Sequence, residues 1–140
     1  MKAVVLLAVL AGLCVAVQTN LTAVAQRALG APVLVAISGL TTSLTALAVA
    51  LTLARPDFSG RAVGYAAVSG MLGAVIVGAI AIAAAQGSVA RALSLVIASQ
   101  LVFGLLLDAL GVFGDGSDVG MLKVLGVVLI IAGGVLVVRF

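Results

Sequence analysis

The apolar residues of this chain fall into five long runs, at about residues 3–25, 32–53, 62–85, 89–110 and 121–138, separated by short polar connections. Each run has about the 20 residues that an α-helix needs to cross the hydrocarbon core of a bilayer. The pattern predicts an all-α integral membrane protein with one five-helix transmembrane domain over residues 1–140. The connections centre on Gln26–Gly30, Arg55–Arg61, Gln86–Ser88 and Gly111–Gly120. Each is shorter than a dozen residues, so successive helices are expected to be antiparallel neighbours. Gly30 suits the end of the first helix, Pro32 the first turn of the second, and Pro56 stops that second helix. Met1-Lys2 and the apolar residues after it have the start of a secretory signal. The run continues past Val17 to Ala25, which favours a first spanning helix.

Few polar residues interrupt these runs, and those few carry the chemistry. In the first, Ala8, Gly12, Ala16 and Asn20 recur every four residues as a stripe of small groups ending in an amide, and Gln18 and Thr22 form a neighbouring pair. Such groups either bond to adjacent helices or line a polar cavity at membrane depth. In the second, Ser38, Thr41, Thr45, Ala48 and Thr52 form a seam suited to close helix approach and interhelical hydrogen bonds. Ala66, Gly70, Ala74 and Gly78 predict a tightly packed, central third helix, with Tyr65 as an interfacial anchor. Gly126 and Gly133, seven apart on the fifth, are a further packing signal.

The fourth run, with the turn that follows it, reads LVIASQLVFGLLLDALGVFG over residues 95–114 and holds one amide, Gln100, and one carboxylate, Asp108. An ionisable group within a span costs several kcal/mol unless it is compensated. Asp108 lies close to the C-terminal end of its helix, where the dipole disfavours a negative charge. Two readings follow. Asp108 is an interfacial charge paired with Lys123 or another basic side chain, or it faces a cavity and exchanges a proton. Gly104 and Gly111, at i−4 and i+3, leave room beside it on a helical wheel.

Composition narrows the function. Of 140 residues 65% are hydrophobic and 8% charged, with a mean hydropathy of +1.48, so a chain this short needs lipid as its solvent. It contains no His, Trp or Glu, which removes the usual zinc, haem and general-base ligands. No enzymatic activity, cofactor or metal is expected. Asp115, Ser117 and Asp118 lack the glutamate and the twelve-residue spacing of a calcium loop. Cys14 is a lone packing residue. A net charge of +3 spread over single, separated residues is no nucleic-acid footprint.

The block SQLVFGLLLDALGVFG, residues 99–114, resembles the fourth-helix motif of the short YdcZ-like branch of the drug/metabolite transporter superfamily: a Gln, an apolar run, an Asp, then Gly-x-Phe-Gly. LGVVLIIAGGVLVV, residues 125–138, resembles that family's last helix, and Gln18 with the Leu29-Gly30-Ala31-Pro32 turn fits it as well. The chain departs from the pattern at Thr22, where an Asn is common, and at Ala31-Pro32, where Ser-Pro is common. The resemblance implies an inner (plasma) membrane, multi-pass exporter of small molecules. It also implies that this chain is one half of a ten-helix plan of two inverted five-helix halves. The related small multidrug exporters depend on a Glu in their first helix; here Gln18, Asn20 and Thr22 occupy that region with neutral groups.

The substrate or coupling candidates are therefore Gln18, Asn20, Thr22, Gln100 and Asp108. The two glutamines, with Asn20 and Thr22, are expected to line one shared site near mid-membrane, because isolated amides in lipid need partners. The alternatives are a non-transporting assembly or accessory protein and a small-ion channel with a continuous polar lining such as the Ser38–Thr45–Thr52 seam. Beyond the bilayer and an unidentified small molecule, the expected partner is a second copy. Five spans put Lys2, Arg55, Arg61 and Lys123 on one side and Arg27, Arg91 and Arg139 on the other. Orientation follows the Lys/Arg excess of short loops, so a near tie predicts insertion both ways and an antiparallel homodimer; the alternative is a parallel dimer, or a fixed orientation with a second protein as the inverted partner. The small-residue faces of the third and fifth helices would pack at or near that contact.

Overall fold

The structure is a computed structural model that describes residues 2–53, 58–111 and 120–140. Arg55, Pro56 and Asp57 lie outside those residues, as do 112–119 with Asp115, Ser117 and Asp118. Five helices follow in order: α1 Lys2–Leu29, α2 Ala31–Leu53, α3 Gly60–Gln86, α4 Val89–Leu110 and α5 Met121–Arg139. All five are long and apolar enough to cross a membrane. They group into two compact units, Met1–Gln86 with α1 to α3 and Gly87–Phe140 with α4 and α5.

The helix ends depart from the sequence expectation at one place. Gln26, Arg27, Ala28 and Leu29 were expected to form a connection, yet α1 runs through Leu29. All four are good helix formers, so their polarity marks the exit from hydrocarbon and not the end of the helix. The break is a single residue. Gly30 has φ 74, the left-handed conformation that costs glycine no Cβ clash. Its N–H donates to Gln26 O at 2.9 Å, and its own carbonyl accepts from Leu34 N–H at 3.1 Å. Gly30 thus ends α1 and begins α2, with Pro32 in the first turn where no backbone donor is needed.

The first unit is tight at the Gly30 end. Thr19, Thr22 and Ala23 of α1, Leu34 of α2, and Gly78, Ala81 and Ala84 of α3 are buried. A Cβ on Gly78 would stand 3.4 Å from Val35 Cγ2. Arg27 Nη2 donates to Ala85 O at 3.1 Å, which ties the end of α1 to the last turn of α3. That places a cation on orphan carbonyls at the negative end of the α3 dipole. The stripe Ala66, Gly70, Ala74 and Gly78 was expected to make α3 a tightly packed, central helix. Of its two glycines, Gly78 is closely approached, whereas nothing lies within 4 Å of a Cβ built on Gly70.

The hydroxyl seam of α2 also behaves differently from the expectation of interhelical bonds. Thr41 Oγ1 donates to Ile37 O at 2.9 Å, Thr45 Oγ1 to Thr41 O at 2.8 Å, and Thr52 Oγ1 to Val49 O at 2.9 Å. Each of these three hydroxyls is satisfied by its own helix, the nearest acceptor always within reach in lipid. In the second unit, Ser88 caps α4 by accepting from Arg91 N–H at 3.2 Å. Gly111, with φ 61, closes α4 by donating to the carbonyls of Leu107 and Asp108. It is therefore a helix stop and not open space beside Asp108. The close approach to α4 on α5 is made by Gly134, whose Cβ would stand 3.6 Å from Ser94 O; the Cβ positions of Gly126 and Gly133 meet nothing.

Two predictions follow from these glycines. Gly30→Ala forces a side chain into the left-handed region and should destabilise by about 1–2 kcal/mol. Gly12→Ala, mid-helix and open, should be neutral or stabilise by up to about 1 kcal/mol. Chemical unfolding in detergent compares them, and equal shifts would remove the conformational argument for Gly30. In the same assay Gly78→Leu must displace Val35 and should cost about 1–3 kcal/mol, whereas Gly73→Leu should fold with little loss because open space receives it. The reverse order would refute the reading of Gly73 as a cavity wall.

Candidate functional site

Each unit holds a cavity; Gln18 lines that of the first, and Gln100 and Asp108 line that of the second. In the first unit a cavity of about 370 Å3 lies among α1, α2 and α3. Gln18 contributes an amide, Ser38 and Thr42 hydroxyls, and Gly39, Gly70 and Gly73 the bare walls. Thr42 and Ser38 share a face at i+4 spacing, and Gly70 and Gly73 of α3 line the same cavity without side chains. The cavity is free of charge. It can offer a planar amide and hydroxyl groups to an uncharged or weakly polar group.

Asn20 and Thr22 are not among the residues that line it. Asn20 Nδ2 donates to Ala16 O at 2.9 Å. Thr22 Oγ1 lies 3.0 Å from Gln18 O and 3.2 Å from Thr19 O, and the residue is buried. Thr19, buried beside it, donates to Val15 O at 2.8 Å. These hydrogen bonds turn the side chains back onto α1. Of the three polar candidates of the first helix, Gln18 is the one placed at the cavity.

In the second unit a cleft of about 410 Å3 runs between α4 and α5, with Gln100, Gly104 and Asp108 on the α4 wall. Their spacing of four puts them in one line along the helix. Lys123, Gly126 and Ile130 stand on the α5 wall. The antiparallel hairpin sets Lys123, at the start of α5, at the same end of the cleft as Asp108, near the finish of α4. Asp108 and Gln100 are exposed on this unit, so the cleft is open along its side. Gln100 and Asp108 thus line one cleft, and Lys123 lines it too.

Sequence reasoning weighed Lys123 only as a structural partner of Asp108, and it overlooked Thr42, Gly39, Gly70 and Gly73 as cavity walls. The signal for Lys123 was present: with Gly126 and Ile130 it keeps the i, i+3, i+7 spacing of one helix face. The seam that a channel lining would need is divided. Ser38 belongs to the first cavity, while Thr41 and Thr45 border a second, open groove on α2 that adjoins it at Thr42.

A family model described as "Putative inner membrane exporter, YdcZ" matches residues 3–136. No curated protein and no solved structure matches the chain. The match spans all five helices and both cavities, and with five helices able to cross a bilayer it places the chain in the inner membrane. This chain belongs to the YdcZ family of inner membrane exporters.

Proposed function

We propose that the chain is one subunit of an exporter for a small molecule and that two copies work together as an antiparallel homodimer. Family membership supports transport and not enzymatic chemistry. The observation that carries the reading is the α4–α5 cleft, where Gln100 and Asp108 interrupt an apolar helix on one face. In a coupled transporter some group must exchange a proton or an ion with both sides, and Asp108 is the one acid inside a span. Gln18, in the neutral cavity of the first unit, is the second candidate for substrate contact. Flux should therefore be sensitive at all three positions.

The dimer rests on charge and on helix number. An odd number of spans separates the termini, and four basic residues against three give no orientation a clear advantage. Two inverted copies would restore the two-half plan that longer transporters carry in one chain. Gly133 on α5, with no atom near its Cβ position, leaves a face open to close helix approach.

Purified protein in liposomes, screened across candidate small molecules, tests transport directly. Asp108→Asn should abolish the pH dependence of that flux in a protein that still folds. Unchanged flux with unchanged pH dependence would remove Asp108 from the coupling role and leave it a structural charge. Orientation is tested with Cys14→Ala as background and Phe58→Cys or Gly87→Cys added singly, on opposite sides of the membrane by span count. Half of each population should react with an impermeant thiol reagent applied outside intact cells. All-or-none labelling would establish one orientation and defeat the inverted homodimer.

A further inference from the structure

Two hydroxyls of α2 behave differently from the rest of that helix. α2 carries six hydroxyl side chains, and four of them, on Thr41, Ser43, Thr45 and Thr52, donate to carbonyls of their own helix. The other two, on Ser38 and Thr42, make no hydrogen bond among the described residues, and both line the cavity of the first unit. The side-chain amide of Gln18, which lines it from α1, makes none either. We propose that this cavity binds an uncharged small molecule through a planar group that donates and accepts side by side, as a carboxamide does, with Gln18, Ser38 and Thr42 as its hydrogen-bonding partners. The proposal rests on the exporter reading and names the substrate class of a site in which Ser38 and Thr42 contact the ligand.

Depth in the span supports it. The lining residues Ser43 and Gly70 stand ten residues, about 15 Å, inside the Leu53 end of α2 and the Gly60 end of α3. A hydroxyl at such depth finds the carbonyl of its own helix by default, and leaving that acceptor unused keeps the donor for another group. Gln18 and Thr42 are exposed on this unit and Ser38 is half-buried, so a ligand can reach all three. A Cβ on Gly39, Gly70 or Gly73 would touch nothing, which leaves the width that a ligand needs. Val35, Ala74 and Val77 supply an apolar wall for a small hydrocarbon portion. The volume of about 370 Å3 falls in the range of small-ligand sites.

Charge and hydrogen-bond capacity decide between ligand classes. No side chain that lines the cavity is ionisable. A charged ligand would therefore lie deep in the span with no opposite charge on the wall, at a steep cost. The wall itself offers both kinds of polar group: the amide has two donors and an acceptor, and each hydroxyl has a donor and an acceptor. A hydrocarbon would leave all of them unpaired, and a ketone would use the donors alone. A carboxamide uses donors and acceptors together. It can also meet the Gln18 amide with two bonds in one plane, as a Gln side chain meets any planar partner with an adjacent donor and acceptor.

Equilibrium dialysis against the full chain in nanodiscs, with empty nanodiscs as the blank, tests the proposal with four labelled probes that share one branched tail. They are isobutyramide, 3-methyl-2-butanone with a methyl group in place of the amide nitrogen, the anion isobutyrate and the cation isobutylamine. Isobutyramide should bind saturably and at least about tenfold more tightly than the other three. Gln18→Met should erase its advantage over the ketone, and Ser38→Ala and Thr42→Val should each weaken its binding at least about threefold. Thr45→Val removes a hydroxyl that is bonded within α2 and lies outside the cavity, so it should leave binding unchanged. Absent isobutyramide binding, equal binding of amide and ketone, or tighter binding of either charged probe would overturn the proposal. An equal loss from Thr45→Val would overturn it too, by making the hydroxyls structural. If Gln18→Met fails to fold, Gly73→Leu decides the matter: a side chain in the cavity should remove the binding, and binding that survives it overturns the proposal. No gradient is present in this assay, so a negative result leaves export standing, whereas absent flux in liposomes removes export itself.

Discussion

Hydrocarbon offers a polar group no water, and that constraint shapes almost every local feature of this chain. Backbone groups must bond within their own helix, and the side-chain hydroxyls follow suit. Thr19, Thr41, Ser43, Thr45 and Ser94 each donate to the carbonyl four residues earlier. Irregular backbone is confined to short joints. At Gly30 a single left-handed residue serves both helices, so few backbone groups are left without a partner at the turn. Arg27 extends the same logic to a helix end by reaching the Ala85 carbonyl.

With hydroxyls turned inward on their own helices, glycine and alanine set the shape of the molecule. The glycines do three different things. Gly30 and Gly111 allow turns, Gly78 and Gly134 allow close helix approach, and Gly70, Gly73, Gly104 and Gly126 leave space. A glycine inside a helix costs about 1 kcal/mol relative to alanine. Where nothing packs against it, that cost is not offset by close approach within the chain. Gly39, Gly70, Gly73, Gly104 and Gly126 are such positions that border one of the two cavities, whereas Gly12, Gly64 and Gly133 are equally open and line neither.

This division explains what the sequence could and could not reveal. Five spans were legible from run length alone, and the Gly30–Pro32 joint from the backbone demands of those two residues. The end of α1 was not, because Gln26 and Arg27 are polar yet good helix formers, and polarity was taken for a connection. The small-residue period on α3 was legible as a pattern. Whether Gly73 meets a neighbour or empty space depends on how far apart the helices run there, and no single helix encodes that distance. The direction of the Thr45 hydroxyl was misjudged for a related reason: an own-helix carbonyl is always available, while an interhelical one exists only where two helices touch. That Lys123 lines the cleft opposite Asp108 appears only once α4 and α5 are paired.

The two cavities differ in a way that bears on how an exporter without glutamate could work. Gln18, Ser38 and Thr42 make a neutral surface, which can bind or release a ligand without moving a proton. Asp108 and Lys123 stand on opposite walls of the α4–α5 cleft, at the same end. The polar side chains in the middle of α1, Gln18, Thr19, Asn20 and Thr22, are amides and hydroxyls, and none of them is a carboxylate. On the proposed reading, coupling therefore falls to Asp108 of α4, and the amide of Gln18 supplies contact without charge.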